Sequence, residues 1–161
     1  MKIGIISDSH DRIENLNKVL ELLKQKQVKT LIHCGDFCAP FMMNELSKFD
    51  GDVHCVFGNI DDRVMTPNRA KEVGINFHGD IAEIEIAGKR IAAVHIPKIA
   101  ESLTTSGKYD LVCYGHTHIK DKKKIKDCWL VNPGDLMGWK NKPSFAIYDT
   151  EKNDIEFFEV E

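Results

Sequence analysis

Three apolar runs of strand length, Lys2–Ser7, Thr30–Cys34 and Val53–Phe57, alternate with amphipathic segments in the first sixty residues, and that alternation commits the chain to an α/β fold. After the first run, Ile13, Leu16, Val19, Leu20 and Leu23 recur at helical spacing, predicting a helix from about Arg12 to Gln25 with Asp11 placed to cap it. A second helix is predicted over Phe41–Lys48. From Ile81 the period changes: Ile84 and Ile86 alternate with Glu83 and Glu85, and Ala87-Gly88-Lys89 turns the chain into Arg90–His95, a hairpin with one wet face. A helix over Ile99–Ser106 and strands at Leu111–Tyr114, Trp129–Asn132, Ser144–Tyr148 and Ile155–Val160 complete an α/β chain with two sheets. The lysine-rich stretch Lys120–Lys126, interrupted by Asp121, reads as a solvated turn.

At 161 residues, without internal repeats or low-complexity segments, residues 1–161 are expected to form a single domain with its own core. No apolar run approaches the roughly 20 residues needed to cross a bilayer, and Asp8 interrupts the apolar N-terminus too early for a secretory signal, so a cytoplasmic protein with no membrane contact is expected. A formal charge of −3 offers no field for nucleic acid except as a nucleotide-type substrate. The five cysteines contain no C-x-x-C pair and read as buried, reduced thiols. His33, His54 and His78 lie outside any ligand pattern and read as structural, with His33 and His54 facing a sheet surface. Trp129, Trp139 and the Phe157–Phe158 pair are expected to pack in the core or an interface, and the small size suggests a homodimer.

Function is carried by where the strands stop. Lys2–Ser7 runs into Asp8-Ser9-His10, Thr30–Cys34 into Gly35-Asp36, Val53–Phe57 into Gly58-Asn59, Arg90–Val94 into His95, and Leu111–Tyr114 into Gly115-His116-Thr117-His118. Sites in open α/β sheets form beyond the carboxyl ends of strands, so seven donors would meet in one place. Asp8 with His10, and His116 with His118, stand two apart and can chelate from one side of an extended segment. Glycine before Asp36, Asn59 and His116 permits the tight turns required. Two carboxylates, four imidazoles and an amide oxygen suit Mn²⁺, Fe²⁺, Zn²⁺, Co²⁺ or Ni²⁺. Seven ligands are too many for one such ion; sharing Asp36 between two would separate them by roughly 3.5 to 4 Å, as in two-metal hydrolases.

D-x-H, G-D, G-N, a lone His and G-H-x-H in this order resemble the calcineurin-like metallophosphoesterase superfamily along the whole chain. Val131-Asn132-Pro133-Gly134 is similar to the N-P-G turn of its small subfamily, which includes bacterial and archaeal phosphodiesterases and Vps29-type scaffold proteins. The resemblance implies a four-layer sandwich of two mixed β-sheets flanked by helices and a first metal on Asp8, His10, Asp36 and His118. It places a second on Asp36, Asn59, His95 and His116, with Mn²⁺ the commonest activating ion. The expected function is phosphodiester hydrolysis of a small substrate by in-line attack of a metal-bridging hydroxide, with Asp36, Asn59 and His95 central to catalysis. Asp11 and Asp61 are candidates to orient ligand imidazoles, and Arg63 to approach the phosphate.

The chain departs from the family pattern twice. Ile60 stands where many members have a histidine after the G-N asparagine, and His95-Ile96-Pro97 replaces H-G-H. Both changes remove imidazoles and leave all seven ligand positions intact, so slow turnover of esters with poor leaving groups is expected. The alternative is a non-catalytic protein-binding scaffold of the Vps29 type that retains metal.

Overall fold

The computed structural model describes residues 1–139 and 141–161. In the first sheet, β1 (Lys2–Ile6), β2 (Thr30–His33), β3 (Asp52–Cys55) and the two-residue β4 (Asn76–Phe77) run parallel. β10 (Ser144–Asp149) pairs antiparallel with the other side of β1, and β11 (Asp154–Glu159) pairs antiparallel with β10. The second sheet has β5 (Ile81–Ile86) antiparallel to β6 (Lys89–Val94). β6, β7 (Leu111–Cys113) and β9 (Cys128–Pro133) are parallel, and β8 (Lys120–Ile125) lies antiparallel along the edge of β9.

Burial on both faces explains why the central strands read as unbroken apolar runs. Ile3 and Ile5 of β1 and Ile32 of β2 pack against Ile91 and Ala93 of β6, Leu111 of β7 and Val131 of β9, which joins the sheets face to face. On the outer face of the first sheet, Leu16, Val19, Leu20 and Leu23 of α1 (Ile13–Gln25) pack on Ile6, Leu31, Phe145 and Ile147. Met42, Met43 and Leu46 of α2 (Met42–Leu46) and Ala70 of α3 (Met65–Glu72) extend that layer. Ala100 of α4 (Pro97–Thr105) packs on Val94, Val112 and Leu130 outside the second sheet. The result is the expected four-layer sandwich of two mixed sheets. Each fully buried Leu, Ile or Phe contributes roughly 1.5–3 kcal/mol.

Several local readings change. Lys120–Ile125 is a strand: it is the edge of the second sheet, and its lysines are matched by acids, Lys120 with Glu159, Lys122 with Asp154 and Lys123 with Asp121. A charged edge is how a sheet avoids pairing with another chain. Helix α3 has no counterpart in the sequence reading, since only Thr66 and Ala70 of its eight residues are buried and Pro67 sits in its first turn, where a missing N–H is tolerated. Pro97 likewise occupies the first turn of α4, so that helix starts two residues before the expected Ile99. Asp11 caps nothing: Arg12 is the N-cap of α1 and makes no side-chain cap bond, while Asp11 Oδ1 accepts the Ala39 N–H at 2.9 Å. Trp129 packs against the inter-sheet cluster, but Trp139 is exposed.

Candidate metal centre

β1, β2 and β3 end on the same side of the first sheet as β6, β7 and β9 end in the second, so the loops that follow them face one another. Asp8 and His10 follow β1, Asp36 follows β2, Asn59 follows β3, His95 follows β6, and His116 and His118 follow β7. Turning each ligand back over its strand end forces the backbone of Asp8, His10, Asp36, His116 and His118 to positive φ, a region non-glycine residues rarely enter. Such strain concentrates where a side chain must be aimed.

Two glycines hold this geometry by what they lack. A Cβ on Gly58 would stand 2.7 Å from Asp36 Cγ, and one on Gly115 would stand 2.6 Å from Asp8 Oδ2. Any larger residue at either place would displace a ligand carboxylate.

The donors then fall into facing groups. Ligand atoms of Asp8, His10 and His118 lie within 4.8 Å of one another, as do those of Asp8, Asp36 and His95. Asp36 Oδ2 stands 3.6 Å from His10 Nε2 and 3.3 Å from His95 Nε2, so one carboxylate oxygen faces both sides of the site. Asn59 Oδ1 lies 3.0 Å from His95 Nε2 and 2.8 Å from His116 Nδ1. All seven residues of the expected set are thereby brought together.

Asp8 Oδ1 and His10 Nε2 are buried with no hydrogen-bond partner among the described residues. An orphaned carboxylate oxygen beside an orphaned imidazole nitrogen is costly unless a cation sits between them. The donor set fits a divalent metal on this ground as well as by its chemistry. The Asp8 carboxylate holds His10 above the usual imidazole range. Burial opposes charge on His95, but the Asp36 and Asp8 carboxylates with the Cys34 carbonyl raise it; burial likewise opposes charge on Asp36, but His95, the Ile60 N–H and His10 together hold that carboxyl below its usual range.

The groups that aim the ligands differ in part from those expected. His95 Nδ1 donates to the Cys34 carbonyl at 2.8 Å, which leaves Nε2 facing the site. His118 Nδ1 pairs with Asp135 Oδ2 at 3.1 Å, and Asp135 is itself buried at the end of β9. The sequence reading missed Asp135, although it follows a strand directly after Asn132-Pro133-Gly134, as the ligands follow theirs. Replacing Asp135 by alanine frees the His118 ring to rotate, and a 10- to 100-fold loss of metal affinity is expected by titration calorimetry, roughly the usual cost of such a partner.

Asp61 does not orient an imidazole. Its carboxylate accepts four backbone N–H groups, from Asp36 at 2.9 Å, Phe37 at 2.7 Å, Cys38 at 3.0 Å and Gly58 at 2.6 Å, and so ties the Asp36 loop to the Asn59 loop. Burial lifts the Asp61 carboxyl above its usual range, against the pull of those N–H groups. Arg63 is also committed elsewhere: it forms a two-pronged pair with Asp80 at 2.6 and 2.8 Å and lies over the Phe57 ring. Cys38, unlike the four buried thiols, is half-buried and sets its sulfur 3.6 Å from His10 Nδ1.

His33 is structural, but it is buried under Phe37 instead of facing a surface. Its Nδ1 accepts the Gly35 N–H at 3.1 Å and its Nε2 reaches Ser9 Oγ at 3.0 Å, an arrangement that requires the neutral ring. Burial drives its pKa down to about 3. With a folded pKa below the unfolded value near 6.5, the unfolded chain binds the proton first, so stability is complete above pH 6.5 and lost as pH falls towards 3. Between pH 7 and 5, denaturation of the metal-free protein should show wild type losing about 2 kcal/mol more than His33→Gln.

Comparison with known proteins agrees with this architecture. Residues 1–153 match the family model described as the calcineurin-like phosphoesterase superfamily domain. A phosphodiesterase of Methanocaldococcus jannaschii is 35% identical over 159 residues, covering 96% of each chain. The solved structure of an archaeal phosphodiesterase superposes with a TM-score of 0.92 at 32% identity, over 99% of this chain and all of the other. A zinc-bound Vps29 of Entamoeba histolytica, 19% identical, shares the fold with a TM-score of 0.72 over 99% of this chain and 91% of its own. With residues 1–153 matched to the family's domain and donors in place at the strand ends, the chain belongs to the calcineurin-like phosphoesterase superfamily of metal-dependent hydrolases.

Proposed function

We propose that this protein is a phosphodiesterase working with two divalent ions, Mn²⁺ before Ni²⁺, Fe²⁺, Zn²⁺ or Co²⁺, as a single-domain cytoplasmic enzyme acting on a small phosphate ester. The reading rests chiefly on the orphaned Asp8 Oδ1 and His10 Nε2 within a convergence of oxygen and nitrogen donors. Asp8, His10, Asp36 and His118 would hold one ion and Asp36, Asn59, His95 and His116 the other; the position of Asp36 Oδ2 between His10 and His95 supports the sharing. When bound, such a pair makes hydroxide available near neutral pH for in-line attack and polarises the phosphoryl oxygens.

The chain's own residues fix the rest. Asp36 sets the separation of the two ligand groups, and Asp61 fixes the Asp36 loop relative to the Asn59 loop through the N–H groups of Asp36 and Gly58. Asp135 and the Cys34 carbonyl aim the His118 and His95 rings. Ile60, beside Asn59, offers no proton to a departing alkoxide. General-acid help is worth about 10² to 10⁴-fold, so esters whose leaving group departs unprotonated are the better substrates.

The test is hydrolysis of a chromogenic phosphodiester and the matching monoester by metal-stripped protein supplemented with Mn²⁺, Ni²⁺, Zn²⁺ or Mg²⁺. Metal-dependent turnover with the diester preferred is the expected result. Metal binding without turnover of either ester would instead assign the chain to the Vps29-type scaffold alternative.

A further inference from the structure

We propose that the apolar surface running from Ile60 through Val64 and Met65 to Phe41 is a shelf for an aryl group on the phosphodiester, so that the site selects diesters carrying one. This rests on the phosphodiesterase reading and names the substrate class of that site. Nine large apolar side chains are exposed among the described residues, and four of them, Phe41 at 42%, Ile60 at 45%, Val64 at 71% and Met65 at 61%, lie on the two segments that follow Asp36 and Asn59. A cluster of exposed apolar groups at one place marks a binding surface.

The shelf starts at the metal centre along the chain. Ile60 follows the ligand Asn59, and its N–H donates to Asp36 Oδ1 at 3.2 Å. Asp62 Oδ1 then accepts the N–H groups of Val64 at 2.9 Å and Met65 at 2.7 Å, which pins the backbone that presents both side chains outward. Met65 and Phe41 line a common cavity of about 370 Å³ between α2 and α3, with Pro40 on its wall. A substituent on a phosphorus held between Asp36 and Asn59 would emerge beside Ile60.

The polar groups around that cavity favour an apolar occupant. Arg69 donates from Nε to Asn44 Oδ1 at 2.5 Å and from a terminal nitrogen to Glu72 Oε2 at 2.6 Å, so these three side chains are already paired with one another, and Asn68 is the other polar side chain on the wall. A sugar or charged group would find few free partners there. An aromatic ring gains burial against Ile60 and Val64 and a sulfur contact from Met65.

The experiment compares phenyl p-nitrophenyl phosphate with methyl p-nitrophenyl phosphate, which share a leaving group, on the Mn²⁺-loaded protein. Taking the ratio of kcat/KM for the two in each protein cancels their intrinsic reactivities. The double variant Val64→Ser, Met65→Ser should lower that ratio about tenfold, the order expected for losing one buried apolar contact. Val64→Leu, Met65→Leu should restore it. A ratio unaltered by the serine pair overturns the proposal. If that unaltered ratio comes with a shift in oligomeric state by light scattering, the shelf is a contact between copies of this chain. Absence of turnover with either diester is a separate outcome, which fells the phosphodiesterase reading itself and this inference with it.

Discussion

Asp36→Ala should abolish metal-dependent diester hydrolysis, with kcat/KM falling by at least about 10³-fold, because losing even a residue that only orients a ligand costs 10- to 100-fold and Asp36, on the proposed two-ion reading, would serve both ions. Its Oδ2 faces His10 Nε2 at 3.6 Å and His95 Nε2 at 3.3 Å. Calorimetric titration with Mn²⁺ should show loss of the tightest binding event in the same variant. Asp36→Asn separates charge from shape: it keeps an oxygen in place but removes the anion, and it should recover little activity. Activity within tenfold of wild type in either variant would mean that the shared-ligand arrangement is wrong.

The largest expected effect on stability is at Asp61. Removing its carboxylate in Asp61→Ala strands the backbone N–H groups of Asp36, Phe37, Cys38 and Gly58, all of which it now accepts. A buried unsatisfied polar group costs about 1–3 kcal/mol, and water entering the gap would relieve some of the four, so a net loss of about 3–5 kcal/mol is expected. For a chain of this size that lowers Tm by roughly 10 °C. Asp61→Asn should fare little better, since its amide nitrogen would face donors. Differential scanning calorimetry of both variants, metal-free, checks the claim. A Tm within about 2 °C of wild type would show that the two ligand loops hold without this carboxylate.

How much of this was readable in the sequence follows from what each feature leaves behind there. The central strands are buried on both faces, so β1, β2 and β3 appear as apolar runs, and a ligand placed at a strand end appears as a polar residue stopping the run. Hence the seven candidate donors that the fold brings together could be named. A carboxylate such as Asp61, whose partners are main-chain N–H groups, imposes no residue type on its neighbours and leaves no pattern. Asp135 left a faint one, being a polar stop after β9 that the Asn132-Pro133-Gly134 turn obscured. The pairing of Arg63 with Asp80 depends on how two loops lie in space, and nothing in their spacing announces it. β8 was misread because an edge strand carrying Lys120, Lys122, Lys123 and Lys124 has the composition of a turn; its pairing with β9, and not any apolar face, makes it a strand.

Asp8, His10, Asp36 and Asn59 hang from one sheet, whereas His95, His116 and His118 hang from the other. Ions held among them would therefore act as rivets through the sandwich, in addition to the apolar layer between the sheets. At a free concentration one hundred times its Kd, a single ion adds about 2.7 kcal/mol to the stability of whatever binds it. Here that increment would be felt as adhesion between two slabs of the molecule, so the supply of metal would govern how tightly its halves hold together as well as how fast it turns over.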